Sequence, residues 1–161
     1  YQGDIFIDNK NIQDIQIDSL RKQILYINQK TNLNDTSIIK NIKYGNNVSD
    51  YEIKEFLDKY DLNIIFSKLK LGLNSNAGVN GNNLSLGMQK IILLMRGLLR
   101  SKNAKIIIFD EPLAGLDVNT RKKVMNILKD LDKNKTIIII SHNSEILPFV
   151  DRTININQLT K

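Results

Sequence analysis

An apolar run, Lys105-Ile106-Ile107-Ile108-Phe109, ends in two adjacent carboxylates, Asp110 and Glu111, and then Pro112. A carboxylate at the carboxyl end of a buried parallel strand sits in the crevice where α/β sheets bind ligands. Asp110 offers a hard oxygen for Mg²⁺, directly or through water, beside phosphate oxygens. Glu111, one residue on, faces differently and is placed to orient or deprotonate an attacking water. Taken alone, the pair reads equally well as two surface acids ending a strand. A second run, Ile137-Ile138-Ile139-Ile140, ends in Ser141-His142, whose imidazole can hydrogen-bond a terminal phosphate and fix the water. A lone histidine is ordinarily a cap or core-edge residue; its place one strand after Asp110-Glu111 reverses that preference. Leu84-Ser85-Leu86-Gly87-Met88-Gln89 opens a long apolar helix. Ser85 suits the N-cap, and the helix's unpaired N–H groups and positive dipole end suit a phosphate. Gln29 ends a further strand, so its amide reaches the same crevice and can touch metal or water. That order is the skeleton of a nucleotide-hydrolysing site. Yet no glycine in the chain is followed by lysine, so the loop that cradles phosphate in such sites is missing.

These residues need elements to position them. Ile5 and Ile7 alternate with polar neighbours as in a half-buried strand, followed by a turn at Asp8-Asn9-Lys10-Asn11. Asp18 and Ser19 can cap a short helix through Arg21. Residues 23–27 read as a buried strand. From Asn34 to about Arg100 the pattern turns helical: 36–44, stopped by Gly45; a helix capped by Ser49 or Asp50 and running to about residue 60, with Ile53, Phe56 and Leu57 on one face; and 61–69. A loop rich in Asn and Gly fills 72–83, and the helix over 88–99 is apolar nearly all round. The last third alternates strand 105–109, helix 118–131, strand 136–140, a short helix from Ser144 and a strand over 153–157. Continuous β-branched runs between helices predict a parallel sheet covered on both faces. The helical middle reads as an insertion into an α/β core.

Composition narrows the function classes. At 161 residues, with 42% apolar and 25% charged residues, the chain suits one globular domain rather than a disordered segment. With no cysteine and one histidine, neither a disulfide framework nor a Cys- or multi-His zinc site is possible. The net charge of +6 is mostly lysine spread along the chain, without an Arg-rich run or interleaved aromatics, and describes a solvated surface better than a nucleic-acid patch. No apolar run approaches the ~20 residues a membrane helix needs. The first residues resemble no signal peptide, and the missing start Met points to a piece of something longer.

Together the motifs resemble the ATP-binding-cassette (ABC) ATPase domain. Ile106 to Glu111 look like its Walker B strand with the adjacent catalytic Glu, and Pro112-Leu113-Ala114-Gly115-Leu116-Asp117 is similar to its D-loop. Leu84 to Gln89, with Ile92, Leu94, Arg96, Leu98 and Leu99 behind, tracks the signature and its helix. Ser141-His142 resembles the switch histidine and Gln29 the Q-loop glutamine. The stretch Asn34 to Gly45 is similar to exporter-type cassettes with fused membrane domains, as is Gly78 to Ser85, although the usual Glu and Arg there are Val79 and Asn80. Glu111 to Asp117 is closer to importer wording.

The resemblance implies an α/β fold: a partial P-loop NTPase (RecA-like) core over 1–33 and 101–161, with a parallel sheet, and an inserted helical subdomain over 34–100. It implies an ATPase using ATP and Mg²⁺, whose sites form between two cassettes docked head to tail. Asp110 and Gln29 would serve Mg²⁺, Glu111 the water and His142 the terminal phosphate. Ser85 and Gly87 would reach ATP held by the partner, and Asp117 would couple the two sites. The residues after Gln29 and the helical subdomain would receive a transmembrane domain, placing the chain on the cytoplasmic side of a membrane, with no nucleic acid as partner. Two departures matter. Leu86 stands where the family has its first signature Gly, obstructing backbone approach to phosphate, and Lys90-Ile91 replace the usual polar and Arg pair. The site opposite the partner is therefore expected to be weakened. The missing Walker A suggests N-terminal truncation and an isolated chain that does not hydrolyse ATP. A soluble ABC-class ATPase of translation or DNA repair, and a degenerate module that binds without hydrolysis, remain the alternatives.

Overall fold

The computed structural model describes residues 3–28, 31–131 and 133–156. It opens on a hairpin of β1 (Phe6–Ile7) and β2 (Lys10–Asn11). The turn residues Asp8 and Asn9 both have positive φ, 48° and 62°, the twist a two-residue hairpin loop requires and short polar side chains tolerate. Next, α1 (Ile17–Gln23) runs directly into β3 (Ile24–Asn28). The expected cap at Asp18 or Ser19 is displaced: Gln16 occupies the N-cap without a side-chain bond, and Asp18 lies in the first turn.

The helical stretch comprises α2 (Ile38–Lys43), α3 (Asp50–Lys59), α4 (Asn63–Phe66) and α5 (Leu86–Arg100). Ser37 caps α2 through the Lys40 N–H, and Gly45, at φ 73°, follows its end. Ser49 and Glu52 cap α3 reciprocally, the Ser49 N–H donating to Glu52 Oε2 at 2.8 Å. The helix expected over 61–69 shrinks to the single turn of α4. Asp61 is left-handed at φ 52°, and Leu62 at the N-cap offers no side-chain acceptor, so nothing starts a longer helix there. The chain closes with β4 (Ile106–Asp110), α6 (Val118–Lys129), β5 (Thr136–Ile140) and a 3-10 segment, Ser144–Phe149.

Strands β3, β4 and β5 form a parallel sheet in that order. Leu25, Ile107 and Ile137 lie abreast, as do Ile27, Phe109 and Ile139, and these rows join the hydrophobic core with the buried faces of α5 and α6. Ile107 and Phe109 are wholly buried, worth roughly 1.5–3 kcal/mol each. Along α5, Ile91 to Met95 and Leu98 are buried, as the apolar pattern predicts. The helix lies close on β3 because residue 97 is glycine: a Cβ there would fall 2.7 Å from Ile27 Cδ1 and Cγ1. Arg96, one residue earlier, donates from Nε to the Asn41 carbonyl (2.7 Å) and from Nη2 to Asn41 Oδ1 (2.9 Å). Asn41 is itself fully buried, so α2 and α5 are joined by a satisfied polar contact inside an apolar layer.

The opposite sheet face departs from expectation. Tyr26, Ile138 and Ile140 remain about half exposed, so among the described residues the sheet is covered on one face only. A run of isoleucines carries apolar side chains on both faces of a strand, but only one meets helices here. The strand expected over 153–157 is also absent from 153–156, where Ile154 and Ile156 are exposed and no described strand lies alongside; Asn157 lies outside the described residues.

Candidate functional site

The in-register parallel pairing brings three strand ends to one edge. Asn28, Asp110 and Ile140 are abreast, so the residues that follow, led by Glu111 and Ser141, gather at one rim. Gln29, the expected fourth contributor, lies outside the described residues. Glu111 sits in a left-handed conformation, φ 52°, sparsely populated for a residue with a long side chain and found mostly where surroundings over-determine it. Its N–H donates to the Ile140 carbonyl at 2.9 Å, and that bond to the neighbouring strand holds the turn. The turn aims the carboxylate at the next strand end: Glu111 Oε1 is 2.8 Å from His142 Nδ1. The other oxygen, Oε2, is buried and has no hydrogen-bond partner. A buried carboxylate oxygen left over is an acceptor waiting for a donor such as water. The His142 side chain is 81% exposed, leaving its outer edge open to a ligand.

Asp110 is met by a residue that the sequence reading overlooked. Tyr26 donates its phenol proton to Asp110 Oδ2 at 2.6 Å, and the carboxylate accepting that proton pushes the Tyr26 pKa above its ordinary value of 10.0. The bond fixes one Asp110 oxygen. Tyr26 lies two residues before Asn28, on the same sheet face as Asp110, but only the β3–β4 register makes them neighbours.

Ser85 and Gly87 sit at the opening of α5. Ser85 Oγ accepts from the Met88 N–H at 3.3 Å, and the Gly87 Cα faces open space. Among the described residues neither bonds to Asp110, Glu111 or His142. Their helix nevertheless abuts the loop after Pro112. Lys90 donates to the Ala114 carbonyl, and a Cβ on Gly115, at φ 67°, would lie 3.1 Å from Leu86 Cδ2. Burial lowers the Lys90 pKa, with the Glu111 carboxylate opposing. Asp117 ends this loop as the N-cap of α6. Its Oδ1 accepts the N–H groups of Asn119 and Thr120, both at 3.0 Å, and its Oδ2 the Thr120 hydroxyl at 2.6 Å. That hydroxyl, and then the Thr120 N–H, hold the Asp117 pKa below its usual value.

A family model described as ABC transporter matches residues 1–114. The chain belongs to the ABC transporter family. It is 36% identical over 156 residues to an ATP-dependent lipid A-core flippase 2 of Colwellia psychrerythraea, covering 96% of this chain and 26% of that protein. An ATP-dependent lipid A-core flippase of Pasteurella multocida is 35% identical over 153 residues, or 93% of this chain and 26% of that one. Among solved structures, a bacterial Atm1-family ABC exporter with ATP bound superposes with a TM-score of 0.79 at 26% identity, over 91% of this chain and 26% of that chain. The chain thus spans about a quarter of the length of these relatives, and its fold is that of an exporter-type P-loop NTPase domain fragment. No helix among the described residues is long and apolar enough to cross a membrane.

The donors at the rim fit the magnesium ion that the family uses. Among the described residues no cluster of three or more acids and histidines could hold a metal ion; Mg²⁺ takes one or two carboxylates and fills its shell with water and phosphate. The Asp110 carboxylate presents hard oxygens at this rim, with Tyr26 bonded to Oδ2.

Proposed function

We propose that this chain is the C-terminal part of the nucleotide-binding domain of an exporter-type ABC transporter, one that binds and hydrolyses ATP at a dimer interface to drive transport. The observation that carries the reading is the Glu111 carboxylate, with one oxygen on His142 and the other buried without a partner. That arrangement is what a base for an attacking water requires: a fixed orientation and an unfilled acceptor. For His142 to serve both partners each ring nitrogen carries a proton: Nδ1–H donates to Glu111 and Nε2–H to the terminal phosphate. Asp110 and Gln29 hold the Mg²⁺, which supplies charge neutralisation at the phosphates. Water attacks the terminal phosphorus as its proton moves toward Glu111, and ADP leaves.

The remaining roles belong to the same proposal. Residues 1–33 and 101–161 form the α/β core, and 34–100 the helical subdomain. Ser85 and Gly87 serve ATP bound by a second cassette, docked head to tail, and Asp117 couples the two sites. A transmembrane domain rests on the segment after Gln29 and on the helical subdomain, which places the chain at the cytoplasmic face of a membrane. The 161 residues, lacking a Gly-Lys phosphate loop, do not turn over ATP alone. Exporters and flippases among the relatives support this reading over a soluble ATPase.

The test is ATPase activity of the full-length protein carrying this chain. Glu111→Gln should cut turnover by roughly 10²-fold or more while ATP binding survives. Wild-type turnover in Glu111→Gln, or no ATP binding by the full-length protein, would overturn the proposal.

A further inference from the structure

A second link joins the two loops of the candidate site, behind the contact between Glu111 and His142. Arg121 stands in the first helical turns of α6, four residues after the Asp117 cap. Its Nη2 donates to the Leu116 carbonyl at 3.1 Å, and its Nη1 to Glu145 Oε1 at 2.7 Å. Leu116 directly precedes Asp117 in the loop that starts at Glu111. Glu145 follows His142 by three residues, in the turn where its own N–H is held by Asn143 Oδ1 at 2.9 Å. One guanidinium therefore grips the backbone of the β4 loop with one arm and a side chain of the β5 loop with the other.

Chemistry favours arginine here. The guanidinium is planar and its donors have fixed directions, so one side chain spans two acceptors without flexing; a lysine ammonium is a point charge on a flexible stem. The Arg121 side chain is 26% exposed, and its Nε is buried without a partner. An ordinary surface ion pair would leave that nitrogen in water, so the arm is held in place at some energetic cost.

We propose that Arg121 is a positioning residue: by tying Leu116 to Glu145, it locks the β4 loop to the β5 loop and keeps His142 aligned with Glu111. The inference rests on the ATPase reading above. Among the described residues the Arg121 side chain bonds to none of those assigned to nucleotide, so losing it should disturb alignment of the reacting groups rather than affinity for ATP.

The test uses the full-length protein with Arg121→Gln, Arg121→Lys, Glu145→Ala and the double variant Arg121→Gln/Glu145→Ala. Arg121→Gln should lower kcat about tenfold, short of the ~10²-fold a 1 Å misplacement can cause. Glu145→Ala should lower it several-fold, and the double variant should fall no further than Arg121→Gln, because both remove one link. The KM for ATP should stay within about twofold throughout, and Arg121→Lys should fail to restore kcat. Amide exchange followed by mass spectrometry supplies an arm independent of turnover. In Arg121→Gln and in Glu145→Ala, residues 113–117 and 142–146 should both exchange faster than in the wild type. Multiplying losses in the double variant, a KM rise that accounts for the defect, or faster exchange in only one segment would each overturn the proposal. If Glu111→Gln leaves turnover intact, the ATPase reading falls, and the exchange arm still decides whether Arg121 locks the loops.

Discussion

Gly97 is the position at which packing, rather than a chemical group, governs the site, and Gly97→Ala tests that. Left to helix propensity, alanine would stabilise the middle of α5 by about 1 kcal/mol over glycine. The structure opposes this: the new Cβ would stand 2.7 Å from both Cδ1 and Cγ1 of Ile27 and 3.5 Å from its Cγ2, whereas carbon atoms pack at roughly 3.5–4.0 Å. Ile27 has little room to retreat, being 5% exposed, β-branched and level with Phe109 in the sheet. Overpacking of this kind costs about 1–3 kcal/mol. The net expectation is a loss of about 1 kcal/mol, or a fall in Tm of ~2–4 °C for a domain of this size. The strain should be relieved by Ile27→Val, which removes Cδ1 and alone costs about 0.5–1.5 kcal/mol. Thermal unfolding of the four proteins, followed by circular dichroism, gives the coupling energy directly, and it should be favourable by about 1 kcal/mol. In the full-length protein, Gly97→Ala should also lower ATPase activity, since β3 lies between α5 and Asp110. A Tm at or above wild type for Gly97→Ala, or strictly additive losses in the double variant, would refute the packing argument.

Other consequences are open to measurement. Leu86 is half exposed at the first turn of α5 and its Cδ2 stands on the side of Gly115 where a Cβ would project, so Leu86→Gly in the full-length protein should open the backbone to phosphate and raise ATPase activity; an unchanged or lower rate would remove Leu86 as the obstruction. Glu52 is held at a pKa of about 2, below its ordinary 4.5, by Lys102 first and then by the Ser49 N–H and hydroxyl. A carboxylate so depressed stabilises the fold fully above the unfolded value, and that contribution disappears as pH falls through about 2. The Tm gap between wild type and Glu52→Gln should therefore be constant near neutrality and close between about pH 4.5 and pH 2; a gap unchanged across that window would dismiss the ionised cap.

Much of the architecture was legible because its signals are local. Ser49 and Ser85 are helix caps, Gly45 follows a helix end, and the isoleucine runs before Asp110 and Ser141 are parallel strands, all for reasons of backbone chemistry within a few residues. Two of the misreadings share a cause. The residues around 61–69 and 153–156 have the right side chains for a helix and a strand, but one lacks a start signal and the other, among the described residues, a neighbouring strand. Both depend on what the rest of the chain provides.

The chemistry-bearing residues divide in the same way. Asp110, Glu111, His142, Ser85 and Asp117 stand out from the sequence because residue type and position after an apolar run or before a helix are one-dimensional facts. Tyr26 and Arg121 do not, since each acts on a partner far along the chain, 84 residues away for Tyr26 and Asp110. Strand register decides the first encounter and the docking of α6 against the loop after His142 decides the second. The sequence by itself determined which groups end the strands and cap the helices. Only the tertiary structure decided which way those groups turn: the left-handed Glu111, held by a bond to the neighbouring strand, points its carboxylate at His142, and a backbone conformation enforced from outside its own segment has no signature within it.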